Sequence, residues 1–79
     1  MRRFVKIKFV DELDTDWEFE AVLNLDAVKL VTPHDDDRYS LIHIGQEHGT
    51  FCIECKLDDV ITYLEGEYMK QSSQIGKLL

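Results

Sequence analysis

Arg3-Phe4-Val5-Lys6-Ile7-Lys8-Phe9-Val10, followed after Asp11-Glu12-Leu13-Asp14-Thr15-Asp16 by Trp17-Glu18-Phe19-Glu20-Ala21-Val22-Leu23, is the stretch that decides the fold. In the first run Val5, Ile7 and Phe9 fall on one side and Lys6 and Lys8 on the other, the period-two pattern of a half-buried strand. The second run repeats it, with Trp17, Phe19, Ala21 and Leu23 opposed to Glu18 and Glu20. Two alternating runs joined by a short polar loop predict an antiparallel hairpin.

Downstream, Asn24-Leu25-Asp26 is a turn signal, because short Asx side chains compete with regular backbone pairing. Ala27 to Thr32 reads as a third strand entered through a short helical turn, stopped where Pro33 removes a backbone donor. After the polar loop 33–38, Tyr39–Ile44 and Thr50–Cys55 read as two more strands. Between them lie Gly45-Gln46-Glu47-His48-Gly49, a hairpin loop with glycine at both ends. Pairing Ile44 with Thr50 would put Tyr39, Leu41 and His43 on one face with Phe51, Ile53 and Cys55. The period then changes. Leu57, Val60, Ile61, Leu64 and Tyr68 follow one helical stripe, and Asp58 and Asp59 suit the first turn of a helix. Gly66 either ends the helix or merely weakens it, since glycine costs about 1 kcal/mol relative to alanine inside a helix.

The expected fold is therefore α+β: a five-stranded antiparallel meander, as a bent sheet or half-open barrel, followed by one C-terminal helix. Residues 1–70 form a single β-rich domain with its closing helix, and 71–79 read as a flexible tail. The chain has 79 residues, and a chain that short buries only about 60% of its unfolded surface. With 44% hydrophobic and 32% charged residues, its composition is globular rather than disordered.

The net charge of −7 is unevenly spread. All sixteen acids lie between Asp11 and Glu67, with Lys29, Arg38 and Lys56 as the basic residues among them. Such a surface repels nucleic acid and anionic membrane and favours a protein partner with a basic surface. Lysines interrupt the apolar residues of the N-terminal run, so it lacks the apolar stretch of a secretory signal, and a cytoplasmic location is expected.

Candidate chemistry is thin. Cys52 and Cys55 are too few for a disulfide framework, and on a strand, positions three apart face opposite ways. A zinc site drawing on these thiols with His34, His43 and His48 would need four converging ligands, so a small metal-stabilised domain stands only as an alternative. Asp11, Asp14 and Asp16, like Asp35, Asp36 and Asp37, lack the spacing and central glycine of an EF-hand loop. No nucleophile sits in a recognised turn and no glycine-rich loop cradles a phosphate. The expectation is a non-enzymatic chain without cofactor or metal. Its candidate partner-binding residues are Asp11, Glu12, Asp14, Asp16, Trp17, Glu18 and Glu20, six acids with no intervening base and one aromatic. Phe19 is expected in the core, while Trp17 is open to either role. A homodimer through a strand edge is a further expectation.

Residues 22–70 carry a resemblance. Leu23-Asn24-Leu25-Asp26-Ala27-Val28, a short strand and loop, a strand–glycine turn–strand, and Leu57-Asp58-Asp59-Val60-Ile61 opening a helix together resemble the FlbD-like small flagellar and motility proteins. The likeness extends more distantly to the strand region of LytTR DNA-binding domains, whose basic DNA-contacting part is absent. The first resemblance implies a motility accessory factor. A looser resemblance, in size, acidity and compactness, is to small acidic phage and mobile-element proteins such as anti-CRISPR inhibitors. It implies an inhibitor that imitates nucleic-acid charge.

Overall fold

The computed structural model describes residues 3–45 and 49–78, with side chains as far as Gln71. Strand β1 is Phe4–Val10 and β2 is Glu18–Asn24. A 3-10 turn at Leu25–Ala27 leads to β3, Leu30–Pro33. Strands β4, Ser40–His43, and β5, Thr50–Ile53, follow. A second 3-10 turn at Leu57–Asp59 opens into α1, Val60–Leu78.

The five strands form one antiparallel sheet in the order β2-β1-β5-β4-β3. That is the cyclic order of a meander, with a difference in where it opens. β1 reaches across to β5 through the single pair Val10↔Cys52, while β2 and β3, consecutive in sequence, become the two free edges. The sheet is bent but not closed into a barrel.

The hairpin of β1 and β2 is unbroken from Phe4↔Asn24 to Val10↔Glu18. Its inner face carries Val5, Ile7, Phe9 and Leu23, all buried, as the alternation predicts. These pack with Leu25, Ile42, Ile53, Val60 and Leu64 in the main core. A smaller cluster of Val10, Tyr39 and Cys52 lies apart from it.

Two expectations are corrected here. The β4–β5 register is Ser40↔Ile53, Leu41↔Cys52, Ile42↔Phe51 and His43↔Thr50, one residue away from pairing Ile44 with Thr50. Ile44 N–H instead donates to the Gly49 carbonyl, with Gly45 and Gly49 at φ of 62° and 78°. Glycine reaches that region without steric cost. A one-residue slip moves a side chain to the opposite face. Phe51 and Ile53 thus join Ile42 and Ser40, while Leu41 packs with Tyr39 and Cys52. Gln46, Glu47 and His48, the middle of the expected hairpin loop, lie outside the described residues.

The second correction concerns α1. Helical backbone continues past Gly66 and Lys70 to Leu78, through the residues expected to trail as a tail. Gly66 is exposed, with nothing within 4 Å of where a Cβ would stand, so it neither caps nor makes a close approach. Gln71 belongs to the folded body. Its Oε1 accepts from Lys6 N–H and its Nε2 donates to the Lys6 carbonyl, both at 2.8 Å. These are backbone groups that β1 turns away from β2, so the helix side chain stands in for a missing strand partner. Of the predicted stripe, Val60 and Leu64 are buried and Tyr68 packs against the core, but Ile61 is 69% exposed.

Arg3 fastens these parts together. Its guanidinium donates to Asp26 at 3.2 Å and Glu65 at 2.9 Å, joining β1, the first 3-10 turn and α1, and it lies over the Tyr68 ring at 5.9 Å. Its hydrogen bonds to the carboxylates of Glu65, then Asp26, push the Arg3 pKa further up.

Candidate partner-binding site

The hairpin end of β1 and β2 is built by its own carboxylates. Asp11 Oδ1 accepts from the N–H groups of Leu13 and Asp14 at 2.9 and 3.0 Å, and Asp14 Oδ1 accepts from Asp16 N–H at 3.2 Å. Asp11 N–H donates to the Trp17 carbonyl at 2.9 Å, closing the loop. Asp11 and Asp14 are thus Asx-turn formers that shape the loop.

A third contact holds the loop from outside. His34 Nε2 lies 3.1 Å from the Glu12 carbonyl, and Asp36 N–H donates to His34 Nδ1 at 3.0 Å. A carbonyl can only accept and an N–H only donate, which fixes the Nε2–H tautomer. His34 is therefore a strut between the two acidic loops rather than a ligand.

The seven sequence-predicted residues divide between two faces. Glu18 and Glu20 lie on the outer face, paired with Lys8 at 3.5 Å and Lys6 at 3.6 Å. Their run is unrelieved in sequence but not in space, since β1 inserts its lysines alongside. Trp17 precedes β2 on the inner face, 56% exposed, its ring 5.1 Å from that of Phe19. Phe19 stacks on Phe9 at 5.5 Å, and Phe9 lies 5.6 Å from Phe51. Trp17 is the wet end of an aromatic row anchored in the core, and Phe19 packs against that core as expected.

Beside this row is an open cleft of about 360 Å³, whose lining includes Val10, Asp11, Glu12, Leu13, Trp17, Phe19 and Phe51. Leu13, at the loop tip, is 95% exposed. The lining thus sets apolar and aromatic side chains beside the two acidic residues Asp11 and Glu12. Of the seven predicted residues, the cleft gathers Asp11, Glu12 and Trp17. Leu13 and Phe51 were not singled out by sequence reasoning, and His34 was named only as a candidate zinc ligand. Leu13, an apolar residue flanked by four acids in the loop 11–16, was the one legible sign.

Among the described residues no buried side-chain nitrogen or oxygen lacks a hydrogen-bond partner. His43 lies between Thr32 Oγ1 at 2.8 Å and Thr50 Oγ1 at 3.1 Å, meeting hydroxyls rather than a thiol or a carboxylate. Cys52 is buried and Cys55 half-buried, both as free thiols, and burial pushes both pKa values up, away from the reactive thiolate. Among the described residues no group of three or more His, Cys, Asp or Glu is placed to hold a metal ion, and no helix is long and apolar enough to cross a membrane.

Arg38 locks the second acidic loop, donating to Asp36 Oδ1 at 3.1 Å and Oδ2 at 2.7 Å. Side-chain and backbone hydrogen bonds from Arg38 lower the Asp36 pKa to about 2. A depressed carboxyl adds stability that is complete above its unfolded value, near 3.8, and is lost as pH falls toward about 2. A carboxyl-detected NMR titration should therefore find an Asp36 midpoint near 2. In Arg38→Ala the midpoint should move up toward the ordinary aspartate range, and an unmoved midpoint would reject Arg38 as the cause.

Comparison of the chain with protein-family models, with curated proteins and with solved structures found no match.

Proposed function

We propose that this chain is a non-catalytic protein-binding module that engages a basic segment of a partner through the end of its β1–β2 hairpin. The observation that carries the reading is the cleft in which a half-exposed Trp17 and an exposed Leu13 stand beside Asp11 and Glu12. A lining that combines an aromatic ring with two carboxylates suits a lysine or arginine, whose methylene stem packs on the ring while its cationic head meets the acids. Tryptophan is also among the residue types that dominate binding energy at interfaces.

A sharper version, in which the surface imitates a phosphate backbone to inhibit nucleic-acid machinery, has less behind it. Lys6 and Lys8 are interleaved with Glu20 and Glu18, so the outer face alternates in sign. Contact through a compact anionic cleft accounts for more of the geometry than an extended anionic stripe.

The test is affinity purification from the native host with mass spectrometry, repeated with Glu12→Lys/Trp17→Ala. Neither side chain bonds within the loop through its own polar atoms among the described residues, so the fold should survive, as circular dichroism can verify. Loss of a hot-spot tryptophan alone typically costs about 2 kcal/mol or more, roughly 30-fold in affinity. Capture of the wild-type partner should fall by at least that factor, whereas Asp58→Lys/Asp59→Lys, reversing two charges in the turn before α1, should retain it. Equal capture by all three proteins would discard the cleft as the contact site.

A further inference from the structure

The two free edges of the sheet are not equivalent. β3 has four residues and ends in Pro33. His34 N–H donates toward β4, to the Tyr39 carbonyl at 3.3 Å, so by alternation Pro33 turns its backbone outward and presents no N–H there. That edge is blunted. β2 is seven residues long, free of proline, and in unbroken register with β1.

The parity of β2 is fixed at both ends. Asp11 N–H donates to Trp17 O and Leu25 N–H to Arg3 O, so residues 19, 21 and 23 direct their backbone groups at β1. Glu18, Glu20 and Val22 direct theirs outward. Among the described residues, no hydrogen bond reaches these outward groups from another element. Val22 is 63% exposed and both glutamates are exposed. An unprotected edge of this length is a template for another strand.

We infer that the partner segment, given the basic-partner reading above on which this rests, adds to β2 as a sixth strand. The charges choose the occupant. Lys8 and Lys6 approach Glu18 and Glu20 at Oε2, 3.5 and 3.6 Å away, and a cation on the added strand would meet Oε1 of each on the outer side. An added strand places basic residues two apart opposite Glu18 and Glu20, and an apolar residue between them beside Phe19 and Ala21 on the inner face. Its end then lies beside the Trp17 cleft. A second copy of this chain is a poorer fit, because it would bring another molecule of net charge −7 to the same edge.

The probe is a capped peptide of alternating lysine and valine as long as β2, added to the full chain and followed by amide hydrogen exchange. Exchange at Glu18, Glu20 and Val22 should slow at least tenfold. The same peptide N-methylated at each lysine keeps its charge but loses the N–H groups that would face β2, and should bind at least tenfold more weakly. Equal binding of both peptides at the hairpin would overturn strand addition while leaving the basic-partner reading intact. If neither peptide perturbs the hairpin, the basic-partner reading fails, and strand addition with it. Concentration-dependent protection of the same three amides without peptide would hand the edge to a second copy and overturn the proposal.

Discussion

Urea denaturation of Ile42→Ala should show a loss of about 2–5 kcal/mol, the range for emptying a buried isoleucine site. Ile42 is 0% exposed, on a strand flanked on both sides, opposite Val31 of β3 and Phe51 of β5. Its side chain belongs to the core that Ile53, Val60 and Leu64 complete. A domain of this length has roughly 4–12 kcal/mol of stability at 0.05–0.15 kcal/mol per residue. The substitution therefore removes at least about a sixth of the margin and, at the upper end, all of it, whereas Ile42→Val should cost only about 0.5–1.5 kcal/mol. The pair also tests the β4–β5 register. Pairing Ile44 with Thr50 would turn Ile42 away from Phe51 and Ile53, and Ile42→Ala would then be mild. A loss below about 1 kcal/mol, closer to that of surface sites, would contradict the core as described. Ile61→Ala, at an exposed site of α1, is the matched control and should stay within about 0.5 kcal/mol.

Ser40→Ala should lower stability by about 1–3 kcal/mol, the penalty for leaving a buried acceptor without its donor. Ser40 is fully buried, and its hydroxyl donates to the Cys55 carbonyl at 2.6 Å. That bond holds the corner where the chain leaves β5 and turns into the 3-10 residues before α1. Cys55 N–H is already given to the Ile53 carbonyl, so the corner is bonded at both its donor and its acceptor. Losing the hydroxyl should also speed amide exchange at residues 55–57 beyond what the global change explains. Wild-type stability and exchange in Ser40→Ala would mean that the Cys55 carbonyl finds another donor. The same site shows how an apparently bland residue carries structure, since a serine in an alternating strand looks like a solvent-facing position.

The candidate site was partly legible. Asp11, Glu12 and Trp17 were marked by the acidic loop and by an aromatic at its exit, and they do meet at one cleft. Glu18 and Glu20 were marked by the same run, yet they lie on the other face with lysines beside them. The sequence lists neighbours along the chain, whereas charge acts through space, and the hairpin sets β1 beside β2. Arg3 and Gln71 gave no local sign at all. One is a cation near the N-terminus, the other a polar residue in a polar run, and their roles arise from contacts 23, 62 and 65 positions away.

Local periodicity fixed the hairpin, the strand class of the three later segments and the switch to a helix after Cys55, because burying one face of a strand or helix imposes its repeat on neighbouring residues. The missing backbone donor of Pro33 set the stop after the third strand. Long-range pairing decided the rest: the closure of β1 on β5, the opening between β2 and β3, the facing of β4 against β5 and the reach of α1 to Gln71. An alternating strand satisfies its own pattern in more than one register. Only the turn at Gly45 and Gly49, together with the shared core they enclose, selects which register buries Ile42.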